Sequence, residues 1–242
     1  MNNQETSSNL TLPDNWNIPM TECFSYSQLK SICINDCGEK LVDLNTIENL
    51  QLLVGPTPEK LKSYVSHGMW VRNSVADKLQ LAQQIISKQQ NNYKILVRYA
   101  YRHPEVQKKY FNDFYDKSKL EHPNLSEEEL LEYVHHYMAI PEVGGHPAGA
   151  AIDILLIYVN TGHEVDMGSL IADFSDMSKV KVFSDTISKQ QLDNRLLLRK
   201  SMMQAGFAPY DFEWWHFSYG DREWACYYQK ESAIYGEVDF RI

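Results

Sequence analysis

The stretch GGHPAGAAIDILLIYV, residues 144–159, decides how this chain folds. From Ala150 onward it is a near-continuous apolar run, which is typical of a strand in the middle of a sheet. Asp153 interrupts the run between two isoleucines, although a buried carboxylate is costly unless it is paired or binds a metal. The stretch therefore predicts either an ion-paired or hydrogen-bonded core carboxylate or, with His146 in the preceding turn, part of a metal site.

Three long segments have the signals of helices. In residues 73–90, apolar side chains recur at helical spacing, and Asn73 or Ser74 is the expected cap. Two further helices are predicted to begin at capping boxes, in which Ser126 and Ser188 are each followed three residues later by Glu or Gln. These helices are expected to pack around the sheet.

Strand signals lie between and after the helices. Residues 93–102 and 150–159 are rich in β-formers, and residues 212–219 are aromatic and half-alternating. Residues 224–229 are expected to form a strand that pairs with residues 212–219 across a turn. Because helices and short strands do not alternate regularly, the pattern favours an α+β fold over a parallel α/β fold.

The 242-residue chain shows no linker, internal repeat or low-complexity tract, so we predict one domain over residues 21–242. Residues 1–20 are polar and predict a flexible arm. The N-terminus lacks the basic and apolar regions of a signal peptide, and no apolar run has the length of a membrane span, so we expect a cytoplasmic protein. The net charge of −9 argues against nucleic acid and anionic membranes as partners. The oligomeric state is left open.

The cysteines do not predict a disulfide scaffold in a chain of this length. Cys33 and Cys37 form one close pair, but a zinc knuckle needs a second close pair. The remaining cysteines, Cys23 and Cys226, are far apart in the sequence. We expect four free thiols.

A second polar cluster lies in FEWWHFSYGD, residues 212–221, where Glu213 and His216 form an E-x-x-H motif. A regular strand would direct residues three apart to opposite faces, so a bulge or twist is needed to bring both into one site. The alternative is an aromatic core strand that contains one satisfied histidine.

The two clusters combined supply His146, Asp153 and His216, which is the stoichiometry of a catalytic zinc site with water in the fourth position. Glu213 is then the expected general base for amide hydrolysis. A tetrahedral oxyanion would need a cation besides zinc, and Arg102 is a candidate. Two alternatives stay open: a metal-free polar network in the core, and a surface role for the arginine beside a helix start.

These motifs resemble those of a known enzyme family. GGHPAGAAID, residues 144–153, looks like the S-x-H-x-x-G-x-A-x-D motif of zinc D-Ala-D-Ala peptidases, and EWWH, residues 213–216, looks like their E-x-W-H motif. The wider context resembles the VanX-type D-alanyl-D-alanine dipeptidases. Residues 160–174 match their T-G-x-x-x-x-M-G segment, and residues 194–225 match a long block that ends in S-Y-G-D-R-x-W-A. The resemblance covers roughly residues 65–230.

The resemblance implies roles for these residues and a fold. One zinc ion per chain would be bound by His146, Asp153 and His216. Glu213 would be the base and then the proton donor to the leaving amine, and Arg102 would stabilise the transition state. The implied fold is α+β, with a central, mostly antiparallel sheet flanked by helices and a zinc cleft on its open face.

The resemblance also implies two substrate-binding positions. An Asp that binds the free amino group of the substrate makes these enzymes dipeptidases, and Asp173 is the match, with one extra residue after Gly168. The family serine implicated in holding the substrate carboxylate is Gly144 here. Either backbone N–H groups of the Gly144–Gly145 turn bind that carboxylate, or the substrate preference has shifted. A further departure is His103, which stands where the family has proline.

The predicted function is hydrolysis of small D-amino-acid dipeptides such as D-Ala-D-Ala by zinc-activated water. One alternative is a D,D- or L,D-carboxypeptidase or endopeptidase of the same fold that acts on peptidoglycan stem peptides. A non-catalytic zinc-binding interaction module is a third hypothesis, from a different class. It is disfavoured because both Glu213 and Arg102 are present.

Overall fold

A five-stranded sheet organises the chain, of which a computed structural model describes residues 14–242. The strands are β1 (Cys33–Ile34), β2 (Leu41–Asp43), β3 (Leu53–Val54), β4 (Trp70–Arg72), β5 (Tyr93–Tyr99), β6 (Ala151–Tyr158), β7 (Ala208–Pro209), β8 (His216–Ser218) and β9 (Ser232–Ala233). The large sheet has the order β3-β5-β6-β8-β7, and only the β3–β5 pair in it is parallel. The predicted α+β fold with a mostly antiparallel sheet is confirmed.

Seven α-helices flank the sheets in residues 14–242. They are α1 (Tyr26–Ser31), α2 (Lys62–Val65), α3 (Asn73–Gln89), α4 (Pro104–Glu121), α5 (Glu127–His135), α6 (Lys189–Gln204) and α7 (Arg222–Tyr227). The capping boxes at Ser126 and Ser188 are confirmed, since each hydroxyl accepts the backbone N–H three residues on. Within the described range, none of these helices is long and apolar enough to cross a membrane.

The main core lies around the central strand β6, whose first seven residues are all buried. Helix α3 packs against both α6 and β5. Its buried side chains Val75, Leu79, Ala82 and Ile86 confirm the helical periodicity. Each such burial stabilises the fold by about 1.5–3 kcal/mol for the larger side chains. Asp153 therefore lies on a rigid strand that is covered by helices.

A second hydrophobic cluster, built by α1, α4 and α5, lies beside the sheet. Leu29 of α1, Phe111 of α4 and Val134 of α5 are buried in it. The segment between α5 and β6 passes along this cluster through Ile140 and Val143. The cluster thus supports the chain that carries His146 toward the sheet.

The two strand predictions near the C-terminus need correction. The strand predicted over residues 212–219 is confined to β8, and Glu213 lies in the turn before it. The predicted strand over residues 224–229 is wrong, because this stretch belongs mainly to helix α7. Asp221 caps that helix, its carboxylate accepting the N–H of Trp224 at 2.9 Å. A side-chain cap of this kind favours a helix even where aromatic residues suggest a strand.

The predicted cap of α3 is also wrong. Arg72 occupies the N-cap position and makes no side-chain cap. Instead, the carboxylate of Glu39 accepts hydrogen bonds from the backbone N–H and the hydroxyl of Ser74. A distant acidic side chain therefore replaces the local cap, and it also places negative charge at the helix N-terminus, where it is stabilising.

The predicted arm, residues 1–20, lies partly outside the described residues, which begin at 14. In the described part, the carbonyl oxygens of Trp16 and Ile18 accept hydrogen bonds from the buried guanidinium of Arg199. The same guanidinium forms an ion pair with Asp211, at 2.7 Å. The division into an arm and a domain over residues 21–242 stays a prediction.

Candidate metal centre

Asp153 and His216 lie directly opposite each other on the neighbouring antiparallel strands β6 and β8. Opposed residues of such a pair project from the same face of the sheet, and here Nδ1 of His216 lies 2.9 Å from Oδ1 of Asp153. On the other side of β6, Tyr99 pairs with Asp153 beyond a register irregularity in β5. The sheet therefore brings together two residues that are 63 positions apart in the sequence.

His146 reaches the same point from the short 3₁₀ turn His146–Ala148, just before β6. Its Nε2 lies 3.4 Å from Oδ2 of Asp153, and its Nδ1 lies 2.8 Å from the carbonyl oxygen of Ala100. Because a carbonyl oxygen can only accept, Nδ1 carries the proton and the lone pair of Nε2 faces the aspartate. Gly149, with φ +67°, ends the turn and starts the strand.

These three side chains offer one ligand atom each, and the ligand atoms lie within 4.8 Å of one another. His146, Asp153 and His216 are all buried, with 5–9% of each residue exposed. Two imidazole nitrogens and a carboxylate form a donor set that zinc binds in catalytic sites. The residues present therefore fit a zinc ion.

The charges at this cluster are strongly perturbed. Burial lowers the pKa of His146, which favours the neutral imidazole that a metal requires. Burial alone would raise the pKa of Asp153, but the two histidines hold it well below its usual range. For His216, burial opposes the charged form, yet the neighbouring carboxylates of Asp153 and Glu223 raise its pKa well above the ordinary value. A cation is therefore favoured at this point, and a metal ion would supply it.

Glu213 lies in the turn that leads into β8, and its carbonyl oxygen accepts the N–H of His216 at 3.1 Å. The turn makes a bulge unnecessary, because the glutamate is not part of the strand. Burial raises the pKa of its carboxyl to about 7. A carboxyl that titrates near neutral pH suits a group that accepts and then returns a proton.

Arg102 follows β5 and is held on three sides. Its Nη1 donates to Oε1 of Gln107 at 2.8 Å, and its guanidinium carbon lies 5.4 Å from the ring centroid of Tyr110. Its backbone N–H donates to the carbonyl oxygen of His146 at 3.2 Å. Arg102 is thus half-buried and positioned, unlike a free surface arginine.

One cavity of about 290 Å³ connects these groups. Six of the seven predicted site residues line it, namely Arg102, Gly144, His146, Asp153, Glu213 and His216. Asp173 does not: its carboxylate accepts the N–H of Ser175 at 3.0 Å, while its neighbours Ala172 and Phe174 line the cavity. The roles of all seven residues stay predictions.

Two further residues near the centre were missed from the sequence. Gln107, the partner of Arg102, is buried in the first turns of α4. Glu223 lines the cavity from the first turn of α7, a segment that was predicted to form the turn and second strand of a hairpin. The Asp221 cap is the local signal that could have identified this helix and placed Glu223 beside the motif histidine.

The chain is similar to known D-Ala-D-Ala peptidases. The peptidase M15 family model described as D-ala-D-ala dipeptidase matches residues 64–234, a span that contains all seven predicted site residues. A D-alanyl-D-alanine dipeptidase of Synechocystis sp. is 31% identical over 86% of this chain and 96% of its own length. One of Enterococcus faecalis is 36% identical over 40% of this chain and 45% of its own length. Among solved structures, VanYB in complex with D-alanine-D-alanine is 18% identical, with a TM-score of 0.40, over 75% of this chain and 93% of that chain.

Proposed function

Because the chain belongs to the D-Ala-D-Ala dipeptidase family of the M15 peptidases, it is a zinc metallopeptidase, and we propose that it hydrolyses D-Ala-D-Ala to two molecules of D-alanine. The observation that carries this proposal is the convergence of His146, Asp153 and His216 in a cavity that also contains the Glu213 carboxylate. Such a cavity combines a metal donor set with a base of near-neutral pKa.

The proposed ligands are Nε2 of His146, one carboxylate oxygen of Asp153 and Nδ1 of His216. A zinc ion held by these residues would lower the pKa of the attacking water to about 7 and polarise the scissile carbonyl. Glu213 accepts the proton of the attacking water while the water oxygen bonds to the carbonyl carbon. It then delivers this proton to the leaving nitrogen as the C–N bond breaks, which releases both amino acids.

Arg102 is proposed to donate hydrogen bonds to the oxygen that becomes negative in the transition state. Its contact with the neutral side chain of Gln107 holds the guanidinium without neutralising its charge. For the two ends of the substrate, Asp173 is proposed to bind the amino group and the turn at Gly144 to bind the carboxylate. Gly144 lines the cavity, and Asp173 lies on the loop at its edge.

A second candidate function, cleavage of longer peptides that end in D-Ala-D-Ala, is favoured by a neighbouring groove. This groove has a volume of about 780 Å³. It shares His136, Tyr137, Phe174 and Glu213 with the metal cavity. It therefore offers space next to the proposed base for residues that precede the scissile bond.

The testing experiment measures release of D-alanine from D-Ala-D-Ala by the purified protein. It includes a chelator-treated sample, the same sample after zinc is restored, and L-Ala-L-Ala as the stereochemical control. We expect turnover that the chelator abolishes and zinc restores. Failure of the zinc-loaded protein to cleave D-Ala-D-Ala would contradict the dipeptidase proposal.

N-acetyl-D-Ala-D-Ala separates the two candidate functions. A dipeptidase that binds the free amino group discriminates strongly against the acetylated compound, whereas an enzyme that uses the second groove accepts it. If Asp173 binds the amino group, Asp173→Asn should reduce the ratio of the D-Ala-D-Ala rate to the N-acetyl-D-Ala-D-Ala rate. An unchanged ratio of the two rates would remove Asp173 from the proposed site.

A further inference from the structure

The outer nitrogens of the two histidines, those that face away from Asp153, have different partners. Nδ1 of His146 lies 2.8 Å from the carbonyl oxygen of Ala100. Nε2 of His216 is buried and makes no hydrogen bond within residues 14–242. The carboxylate of Glu223 lies beside it, with Oε2 at 3.4 Å from Nε2. Buried polar atoms in proteins nearly always have a hydrogen-bond partner. The geometry therefore points to a hydrogen bond from Nε2 of His216 to Glu223, which forms when a bound metal ion fixes the imidazole ring.

Glu223 is placed for this contact by its helix. It occupies the first turn of α7, which begins at the Asp221 cap, so that its carboxylate is held at a helix N-terminus. Its side chain is 13% exposed and lines the metal cavity. A buried carboxylate at this distance from Nε2 is a suitable acceptor for an imidazole N–H.

We propose that Glu223 is a positioning residue of the zinc site, whose carboxylate accepts the Nε2–H of His216. Accepting this proton would leave the lone pair of Nδ1 free to bind the metal ion. The carboxylate also makes the imidazole a stronger donor to the metal. The inference rests on the ligand set given under the proposed function. It adds a fourth side chain on which zinc affinity depends.

The asymmetry between the two histidines makes the contact testable. The partner of His146 is a main-chain oxygen and is not removed by substitution, whereas the partner of His216 is a side chain. Glu223→Met keeps a similar volume and removes the acceptor. Glu223→Gln keeps an acceptor oxygen and removes the charge. Glu231→Met, at an exposed glutamate outside the cavity, is the matched control.

The measurement is the zinc dissociation constant, obtained by competition with a chromogenic chelator. Thermal unfolding of each zinc-free protein serves as the check on folding. We expect Glu223→Met to weaken zinc binding about 10- to 100-fold, Glu223→Gln to weaken it less, and Glu231→Met to leave it unchanged. A Glu223→Met protein that binds zinc within about twofold of the wild-type constant would overturn the proposal. Absence of zinc binding by the wild type would instead contradict the proposed ligand set.

A second measurement does not depend on the fold of the methionine variant. Proton–nitrogen correlation spectra of the zinc-loaded wild type report which nitrogen of His216 carries the proton. We expect the proton on Nε2, at a low-field position that moves upfield in Glu223→Gln because the acceptor loses its charge. A proton resonance that stays in the same place in both proteins would show that Glu223 is not its acceptor.

Discussion

The backbone N–H of Arg102 donates a hydrogen bond to the carbonyl oxygen of His146 at 3.2 Å. In return, Nδ1 of His146 lies 2.8 Å from the carbonyl oxygen of Ala100. The segment that carries the proposed oxyanion-binding cation and the segment that carries the first metal ligand are therefore one hydrogen-bonded unit. The backbone of Arg102 is thus fixed relative to His146 by main-chain contacts, and the Gln107 side chain then holds the guanidinium.

The first prediction concerns the proposed base. Glu213→Gln removes the group that moves the proton but none of the ligand atoms. We expect kcat for D-Ala-D-Ala to fall about 10²- to 10⁴-fold, with one zinc still bound per chain by metal analysis. Full activity in this variant would refute the assignment of the base, and loss of zinc would show that Glu213 supports the metal instead.

The same substitution makes a prediction about stability. The pKa of Glu213 is raised from 4.5 to about 7 in the folded protein. Because its pKa is raised on folding, the protonated carboxyl of Glu213 contributes fully to the unfolding free energy below pH 4.5. This contribution is lost as the pH rises through about 7. Glutamine does not ionise, so zinc-free Glu213→Gln should be more stable than the wild type near pH 8. We expect a gain in unfolding free energy on the order of 1–2 kcal/mol, because solvent in the open cavity screens part of the effect.

Urea unfolding of both zinc-free proteins across the pH range checks this difference. The gap in unfolding free energy should shrink as the pH falls toward the ordinary glutamate range. A gap that is constant with pH would mean that the substitution acts by packing and not through the ionisation of Glu213.

The third prediction concerns the partner of Arg102. Gln107→Leu removes the acceptor for Nη1 of Arg102, and we expect kcat to fall roughly 10-fold. Arg102→Ala removes the cation itself and should lower kcat by roughly 10²- to 10³-fold. In the Arg102→Ala background, Gln107→Leu should change kcat little, since its effect acts through the arginine. Additive losses in the double variant would contradict this positioning role. Gln89→Leu, at the exposed end of α3, is the control.

The features predicted from sequence were those with a local cause. The apolar run of β6 and the capping boxes depend on neighbours within a few residues, and both were confirmed. The meeting of Asp153 with His216 depends on strand pairing across 63 positions. Spacing alone therefore could not predict this contact. The residue types suggested a shared zinc site, and the resemblance to a family supported it.

The features that were missed depend on tertiary contacts. The cap of α3 comes from Glu39, which is 35 positions from Ser74. Helix α7 was predicted as a strand because its aromatic residues favour strands, yet the side chain of Asp221 decides the local structure. Glu223 was then overlooked because its position relative to His216 depends on that helix.

The fourth prediction concerns His103, where the family has proline. The ring is buried and stacks on Tyr64 with centroids 4.0 Å apart. Its Nε2 lies 2.9 Å from Asp239, and its Nδ1 accepts the N–H of Glu105 as the cap of α4. His103→Ala should therefore lower the unfolding free energy by about 1–3 kcal/mol. Urea unfolding measures this loss, and Asp239→Ala is expected to cause a smaller one. A change below about 0.5 kcal/mol for His103→Ala would contradict the structural role of His103.

The last prediction concerns the two glycines before His146. A Cβ at Gly144 would meet no atom closer than 3.4 Å, whereas one at Gly145 would lie 1.9 Å from Oδ2 of Asp221. Gly144→Ser, which restores the family serine, should therefore fold normally, while Gly145→Ala should be strongly destabilised because the clash lies in a buried site. If the serine hydroxyl binds the substrate carboxylate, Gly144→Ser should lower KM for D-Ala-D-Ala several-fold relative to Gly144→Ala, with kcat little changed. Equal KM values in the serine and alanine variants would indicate that the carboxylate is bound elsewhere in this protein.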